Sequence, residues 1–429
     1  MATYSSYDAI VIGGGPAGSA ASTMLAQKGR KVLLLEKEKF PRYHIGESLI
    51  PYTYYPLQRM GMIEQMKRSH FTKKYSVQFV SISGKQSQPF YFFQQLHHEA
   101  ADTWQVLRSE FDQMLLNNAR AKGVEVMEET LVKETVENNG TVEGVRAVSR
   151  NGQGHEFRAP ITIDATGRDA FTLGRRGWKV RDPRLNKIAV WTYYKGAMRD
   201  PGIDEGATTV AYVPDKGWFW YIPLPDDIIS VGIVAEKDYL YRDTHDLKTI
   251  FHREAAVNKW IEQHLAVGQQ VGEYRVTGEY SYRSRHCAGD GLLLIGDAFA
   301  FLDPVFSSGV FLALRSGEMG ADAVDAALTA GDCSAARFRE YGEQLCNGIE
   351  SMRRLVYTFY DHEFRFRSFL TKYPDLKGEM TDCLMGNLWL DFDPLFQAVA
   401  EFAKVPAALS HGRAFENGNL QTPSHTMAD

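Results

Sequence analysis

Residues 7–36 read YDAIVIGGGPAGSAASTMLAQKGRKVLLLE. Tyr7 to Ile12 is a short apolar run of strand type, and a glycine-rich turn follows it at once. Ser19 to Lys28 is alanine-rich with helical character, and Lys31 to Leu35 is a second apolar strand ending at Glu36. Gly13, Gly15 and Gly18 therefore form G-x-G-x-x-G between a strand and a helix, the arrangement that binds a dinucleotide. The first glycine permits the tight turn, the second lets a pyrophosphate approach the backbone, and the third allows close helix–strand packing. Pro16 and Ala17 open the helix, whose N-terminus faces the phosphates. Glu36 lies 23 residues after Gly13, where a carboxylate accepts the ribose hydroxyls, with Lys37 beside it. A glycine turn alone is common. Strand, helix and acid together favour the nucleotide.

The rest of the composition narrows the class. A chain of 429 residues can bury a full core and holds two to three domains' worth of sequence. A net charge of -5 gives no broad positive field, which argues against nucleic acid as a partner. The four cysteines (Cys287, Cys333, Cys346, Cys383) lie far apart and read as isolated thiols in a reducing compartment. His97-His98-Glu99 has no second ligand cluster to make a metal site, so it reads as a polar loop and no metal is expected. The N-terminus shows no export signal, and no run of 18 apolar residues suggests a membrane span, so the expected location is the cytoplasm.

Along the chain, residues 73–95 alternate like strands, and residues 109–122 have a Ser cap with apolar positions at helical spacing. VEVMEET (124–130) and the TVEGVRAVSR and HEFRAPITIDAT stretches read as strands of a small antiparallel unit. Residues 188–235 are again β-rich, and GLLLIGDAFAFLDPVFSSGVFLALRSGEMG reads as strand, loop and long helix. The fold class is α/β (α+β). A Rossmann-type dinucleotide domain is interleaved with a mostly antiparallel substrate sheet over residues 5–335, a helical substrate region follows over 336–410, and a polar, disordered tail occupies 411–429.

Two later segments resemble the signatures of two-dinucleotide-domain flavoproteins. Ile163-Asp164-Ala165-Thr166-Gly167-Arg168 is similar to their strand-end A-T-G element. Leu294-Ile295-Gly296-Asp297-Ala298 is similar to their G-D-A element, in which Asp297 would bond the ribityl or phosphate region of the flavin. Arg108 matches the arginine such proteins place near the FAD phosphates; the alternative is a surface arginine at a helix start. The resemblance implies FAD and a p-hydroxybenzoate-hydroxylase-like fold. No second G-x-G-x-x-G offers a nicotinamide dinucleotide a site.

Fold does not set chemistry here, and local motifs must. Gly217-Trp218-Phe219-Trp220-Tyr221-Ile222-Pro223 contains W-x-W-x-I-P, the signature of flavin-dependent halogenases. On a strand Trp218, Trp220 and Ile222 share one face and form an apolar wall, with Pro223 closing the motif. The bland alternative is an aromatic-packed core strand. Phe40-Pro41-Arg42-Tyr43-His44-Ile45-Gly46-Glu47-Ser48 resembles the family's F-P-R-x-x-x-G-E-S stretch, which implies that Arg42, Ile45, Gly46, Glu47 and Ser48 line the flavin. His44 reads as a structural histidine. Lys74 stands where the family carries its catalytic lysine in a K-x-G segment, although Ser76 replaces the usual glycine and the neighbouring Lys73 leaves a one-residue alternative. A buried lysine has a lowered pKa, which makes its nitrogen available to hypohalous acid. FAFLDPVFSSG (299–309) resembles the halide-binding loop, implying that Ser308 and Gly309 bind halide at the start of a helix. Phe306 occupies the place of the glutamate found in tryptophan-acting members, so the segment fits the phenol- and pyrrole-acting branch.

The resemblance covers about residues 5–335, leaving the last 90 to choose the substrate. It implies an enzyme that takes externally reduced FAD, oxygen and chloride or bromide, and halogenates an electron-rich phenol or pyrrole through hypohalous acid relayed by Lys74. The ring arrives free or tethered to a carrier protein, and a separate flavin reductase is implied. An aromatic hydroxylase or epoxidase, a prenyl-chain reductase of the same fold, and a catalytically silent flavoprotein are the alternatives.

Overall fold

The glycine turn lies at the centre of a parallel sheet in the computed structural model, which describes residues 7–414 except 215, 216, 279, 280 and 362. The strand Ala9–Ile12 pairs in parallel with Val32–Leu35 on one side and Ile161–Asp164 on the other. Glu125–Met127 extends the sheet beyond Val32–Leu35, and Leu292–Leu294 extends it beyond Ile161–Asp164. All four residues of Ala9–Ile12 and of Val32–Leu35 are buried, as continuous apolar runs in a covered parallel sheet require. The helices Pro16–Gln27 and Gly309–Ala330 cover the sheet. A Cβ on Gly317 would stand 2.5 Å from the carbonyl oxygen of Ala17, so the two helices meet backbone to backbone.

A second sheet of seven strands has the order Gln269–Thr277, Lys187–Lys195, Ile228–Glu236, Gly217–Leu224, Thr208–Val213, Ser76–Val80 and Phe90–Tyr91. Its pairings are antiparallel except between Thr208–Val213 and Ser76–Val80. The chain leaves the first sheet after residue 35 and returns to it at 125, 161 and 288, so the two sheets interleave as expected. Both faces of the second sheet are covered. Trp218, Trp220 and Ile222 join the core shared with the first sheet, whereas Phe219 and Tyr221 pack with Phe251 and Trp260 in a separate core.

Several local readings differ from expectation. The helix expected to open on a Ser109 cap runs over Arg108–Ala121, with Leu107 at its N-cap and no side-chain cap. Within VEVMEET, Glu125–Met127 is an edge strand of the parallel sheet, not part of the small antiparallel unit. That unit consists of Thr130–Asn138, Thr141–Ser149 and Gly154–Arg158, while ITIDAT belongs to the parallel sheet. Short apolar strands carry no mark of their partner, which is set by the connections around them. Phe92–Gln94 is a 3-10 turn, which shortens the second strand expected in 73–95. Of the polar tail, residues 415–429 lie outside the described residues. Residues 411–414 run beside the first sheet, where Cys287 N–H donates to Arg413 O and Gly412 N–H to Arg285 O. Among the described residues no helix is long and apolar enough to cross a membrane.

Candidate active site

The three glycines have three distinct local reasons. Gly13 has φ +104°, and a Cβ there would stand 2.5 Å from the Ala165 carbonyl oxygen. A Cβ on Gly18 would stand 1.9 Å from the Gly13 carbonyl oxygen, so the helix packs against the turn with no room for a side chain. At Gly15 a Cβ would meet only Arg42 Nη2, at 3.6 Å. That face is open. It abuts a cavity of about 620 Å3 lined by Gly13, Gly15, Pro16, Ala17, Glu36, Lys37, Arg42, Ile45, Gly46, Glu47, Ser48, Arg108, Asp297 and Gly309 among others.

At one end of this cavity Glu36 is buried, and its oxygens accept Gly14 N–H at 2.7 Å and Glu38 N–H at 2.8 Å. The carboxylate is thereby fixed in orientation, with lone pairs left for ribose hydroxyls. The helix Pro16–Gln27 begins here with no side-chain cap, leaving its first N–H groups for a phosphate. Lys37 is paired with Asp169 at the rim. Gly296 and Gly18 do not line the cavity but let the walls close. A Cβ on Gly296 would stand 2.9 Å from Ala17 Cβ, and Gly296 N–H donates to Ser316 Oγ. Asp297 lines the cavity, and burial pushes its carboxyl up to about 6. An open glycine, unpartnered helix N–H groups, a fixed acid and an elongated pocket together fit a dinucleotide.

Arg108 lines this wall. Its guanidinium donates to both oxygens of the buried Asp112, at 2.8 and 3.0 Å, and to the carbonyls of Ile45 (2.8 Å) and Gly46 (3.1 Å). It fixes the 45–48 loop against the cavity. His44 is held by its Nδ1, which donates to Ile45 O, and burial lowers its pKa to about 4, so the ring is neutral.

The far end of the cavity is aromatic. Trp218, Trp220 and Ile222 line it, with Trp218 and Trp220 centroids 6.3 Å apart. Pro223 is buried in the same strand but does not reach the cavity. Each indole is held by its N–H: Trp220 donates to Ser230 Oγ at 3.1 Å and Trp218 to Tyr360 OH at 2.7 Å. Tyr360 in turn donates to Asp303 Oδ2 at 3.0 Å, tying the wall to the loop before the long helix. Gly232 makes room for the wall, since a Cβ there would stand 2.4 Å from the Trp220 ring. In the 299–309 loop, Ser307 adopts a left-handed φ of +56° and lines the cavity together with Gly309. That turn directs Ser308 inward, where its Oγ is buried without a partner among the described residues. Phe306 also turns away from the cavity and meets Phe359 edge-on at 5.7 Å.

Lys74 is fully enclosed. Its Nζ donates to Ser48 Oγ and Leu49 O, both at 2.9 Å, and lies 5.5 Å from the Phe92 ring centre. Burial lowers its pKa to about 7. Lys74 does not line the cavity itself; Ser48 and Thr208, whose hydroxyls are 2.8 Å apart, stand between them. Lys73 points the opposite way, its amine 4.3 Å from the Trp104 ring centre. Elsewhere His98 Nδ1 accepts Ala100 N–H and Glu99 pairs with Lys67, and no metal-binding cluster occurs among the described residues.

Comparison with known proteins gives the family. The profile of the tryptophan halogenase family matches residues 93–373, and that of the FAD dependent oxidoreductases matches residues 8–172. A 1H-pyrrole-2-carbonyl peptidyl-carrier-protein brominase from Pseudoalteromonas luteoviolacea (strain 2ta16) is 33% identical over 90% of this chain and 93% of its own length. The chain belongs to the flavin-dependent halogenase family. A corresponding chlorinase from Pseudomonas fluorescens (strain Pf-5) is 28% identical over 97% of this halogenase and 98% of its own length. The structure of the flavin-dependent brominase Bmp2 superposes with a TM-score of 0.84 at 30% identity, covering 93% of this chain and 97% of that one. The likeness thus runs past residue 335, where the sequence motifs end. The halogenase is an FAD-dependent oxidoreductase whose cosubstrate is chloride or bromide.

Proposed function

We propose that this halogenase acts on a pyrrole-2-carbonyl group carried by a peptidyl-carrier protein, using reduced FAD from a separate reductase. The observation that carries the substrate is the pair of relatives named for it, which align with 90% and 97% of this chain. Phe306 supports it. A pyrrole is activated enough to lose its proton after attack without the glutamate of the tryptophan-acting members.

Bound FAD supplies the electrons that reduce oxygen and allow halide to be oxidised. The chain's residues do the rest. Glu36 and the helix N–H groups of Ala17 and Gly18 hold the dinucleotide, and Arg108 fixes the loop from Ile45 to Ser48 along it. The N–H groups of the turn at Ser308 and Gly309 hold halide at the positive end of the helix. Trp218, Trp220 and Ile222 keep the organic ring on the far side of the wall. Lys74, half of it neutral near pH 7, binds hypohalous acid or is halogenated by it, and presents the halogen to the ring. Ser48 and Thr208 mark the passage between cavity and amine.

The test combines the protein with a flavin reductase, NADH, FAD, oxygen and halide, and offers pyrrole-2-carbonyl carrier protein beside free pyrrole-2-carboxylate and simple phenols. Isotope patterns in intact-protein and small-molecule mass spectra should show halogen on the carrier-bound ring alone. Halogenated phenol beside unmodified carrier would overturn the tethered-substrate reading.

A further inference from the structure

Halogenation consumes a proton. With reduced FAD, dioxygen, halide X− and an aromatic ring, the net reaction is FADH2 + O2 + X− + H+ + ArH → FAD + ArX + 2 H2O. One proton must therefore reach the reacting groups from solvent in each turnover.

We propose that Glu47, Tyr193 and Tyr43 form the proton-entry path from solvent to the flavin cavity, with Glu47 as the acid at its inner end. Glu47 lines the cavity and is buried to 4% exposure. Its Oε1 accepts the Tyr193 hydroxyl at 2.8 Å, and the Ser230 hydroxyl faces the same carboxyl. The Tyr193 and Tyr43 hydroxyl oxygens lie 2.8 Å apart, and Tyr43, which borders the cavity where it meets solvent, is 44% exposed. Trp191 Nε1–H donates to the Tyr43 oxygen at 2.8 Å, which fixes the direction of the chain. With that oxygen accepting, the Tyr43 proton points to Tyr193, and the Tyr193 proton points to Glu47. Each hydroxyl then has one donor behind it and one acceptor ahead. A proton taken from water by the free lone pair of Tyr43 moves the next proton to Tyr193 and the next to Glu47 Oε1. The O–H bond of Tyr43 breaks as its new one forms, and the same holds for Tyr193, so neither phenol carries a lasting charge. Rotation about Cγ–Cδ turns the new carboxyl O–H toward the cavity, and rotation of the two hydroxyls resets the path.

The groups facing Glu47 suit a proton donor that works near neutrality. Burial pushes its pKa up to about 7, while Ser230, Tyr193 and the Arg108 guanidinium pull the other way. The nearby His44 ring, neutral at that pH and tied to Ile45 O, does not compete. The relay rests on the cavity being the flavin site.

The test uses Glu47→Gln, Tyr193→Phe and Tyr43→Phe, each checked for folding by circular dichroism and for FAD affinity by fluorescence. In the protein without FAD, the infrared band of the 13C-glutamate carboxyl should titrate near 7, vanish in Glu47→Gln and move to higher pH in Tyr193→Phe, where the anion has lost a donor. In the FAD-loaded enzyme, halogenation should fall by about a hundredfold in Glu47→Gln, the scale of a lost general acid. It should fall several-fold, with a larger solvent isotope effect, in both phenylalanine variants. Normal FAD binding with an unshifted carboxyl titration and parental isotope effects in both phenylalanine variants would overturn the relay alone. Failure of the parent protein to bind FAD would overturn the reading of the cavity itself.

Discussion

Replacing Lys74 by methionine keeps the length of the side chain and removes the amine, and its effects on stability and on chemistry should diverge. In the folded protein Nζ titrates near 7 because burial disfavours the ammonium, against 10.5 for an exposed lysine. That difference is about 5 kcal/mol of penalty on the charged form. The folded value lies below the unfolded one, so between about 7 and 10.5 the unfolded chain binds more protons and stability rises with pH. Below about 7 the folded state bears the whole penalty. Lys74→Met removes it but strands the Leu49 carbonyl, which costs about 1–3 kcal/mol. The variant should therefore exceed the parent by roughly 2–4 kcal/mol near pH 6, and fall below it near pH 10.5. Urea unfolding across that range reads the crossing directly. In the reductase-coupled assay, ring halogenation should disappear while halide-dependent oxidation of reduced FAD continues and free hypohalous acid reaches a scavenger. Lys73→Ala should halogenate normally, since that amine lies on the opposite face over Trp104. Regioselective halogenation by Lys74→Met would refute the relay, and a stability difference independent of pH would refute the buried-amine argument.

Glu36→Ala should weaken FAD binding by about 1–3 kcal/mol, because a charge-assisted contact to ribose is lost; a fluorescence titration measures it. The purified protein should bind FAD yet oxidise NADH or NADPH negligibly until an unrelated flavin reductase is added, which a spectrophotometric assay at the nicotinamide band checks. Gly232→Ala should lower stability by about 1–3 kcal/mol through overpacking against Trp220, measured as a fall in Tm. The halogenation rate should be bell-shaped in pH with its maximum near neutrality, since Glu47 must hold a proton and Lys74 must lack one. A sigmoidal profile with one limb would remove one of the two groups from the mechanism.

What the sequence made legible is what local sterics decide. Gly13 and Gly18 are required by contacts with the turn and the neighbouring strand end, and no other residue type meets that demand. Lys74 is preferred to Lys73 because Ser76 then stands at the glycine position and the spacing to Phe79 fits; the structure puts the two amines on opposite faces. The rest depends on partners distant in sequence. Arg108 borders the cavity, and Asp112 and the carbonyls of Ile45 and Gly46 take up four of its five N–H donors. Nothing near Trp218 announces Tyr360, which lies 142 residues later and holds the indole N–H. In the 299–309 loop it is Ser307, in a left-handed conformation, and Gly309 that border the cavity, while Phe306 and Ser308 turn away from it. Gly232 did carry a signal. A glycine inside an otherwise β-branched strand marks a close approach, and its cross-strand partner is Trp220.

Glu47, Ser48 and Leu49 follow one another, yet the chain divides them between two opposite electrostatic tasks. A carboxyl must keep its proton near neutrality and an amine must lose one, and burial achieves both because it disfavours either charge. What separates the roles is the hydrogen-bonding partner. Glu47 faces the hydroxyl of Tyr193, which donates to the anion and receives from the acid, so the group can cycle between forms. Lys74 faces the Ser48 hydroxyl and the Leu49 carbonyl, acceptors that orient its N–H bonds without offering a countercharge. An aspartate in place of Ser48 would supply that countercharge, fix the ammonium and silence the amine, while leaving the glycine turn untouched. On the proposed relay, Ser48 is thus as much a condition of the chemistry as the lysine it holds.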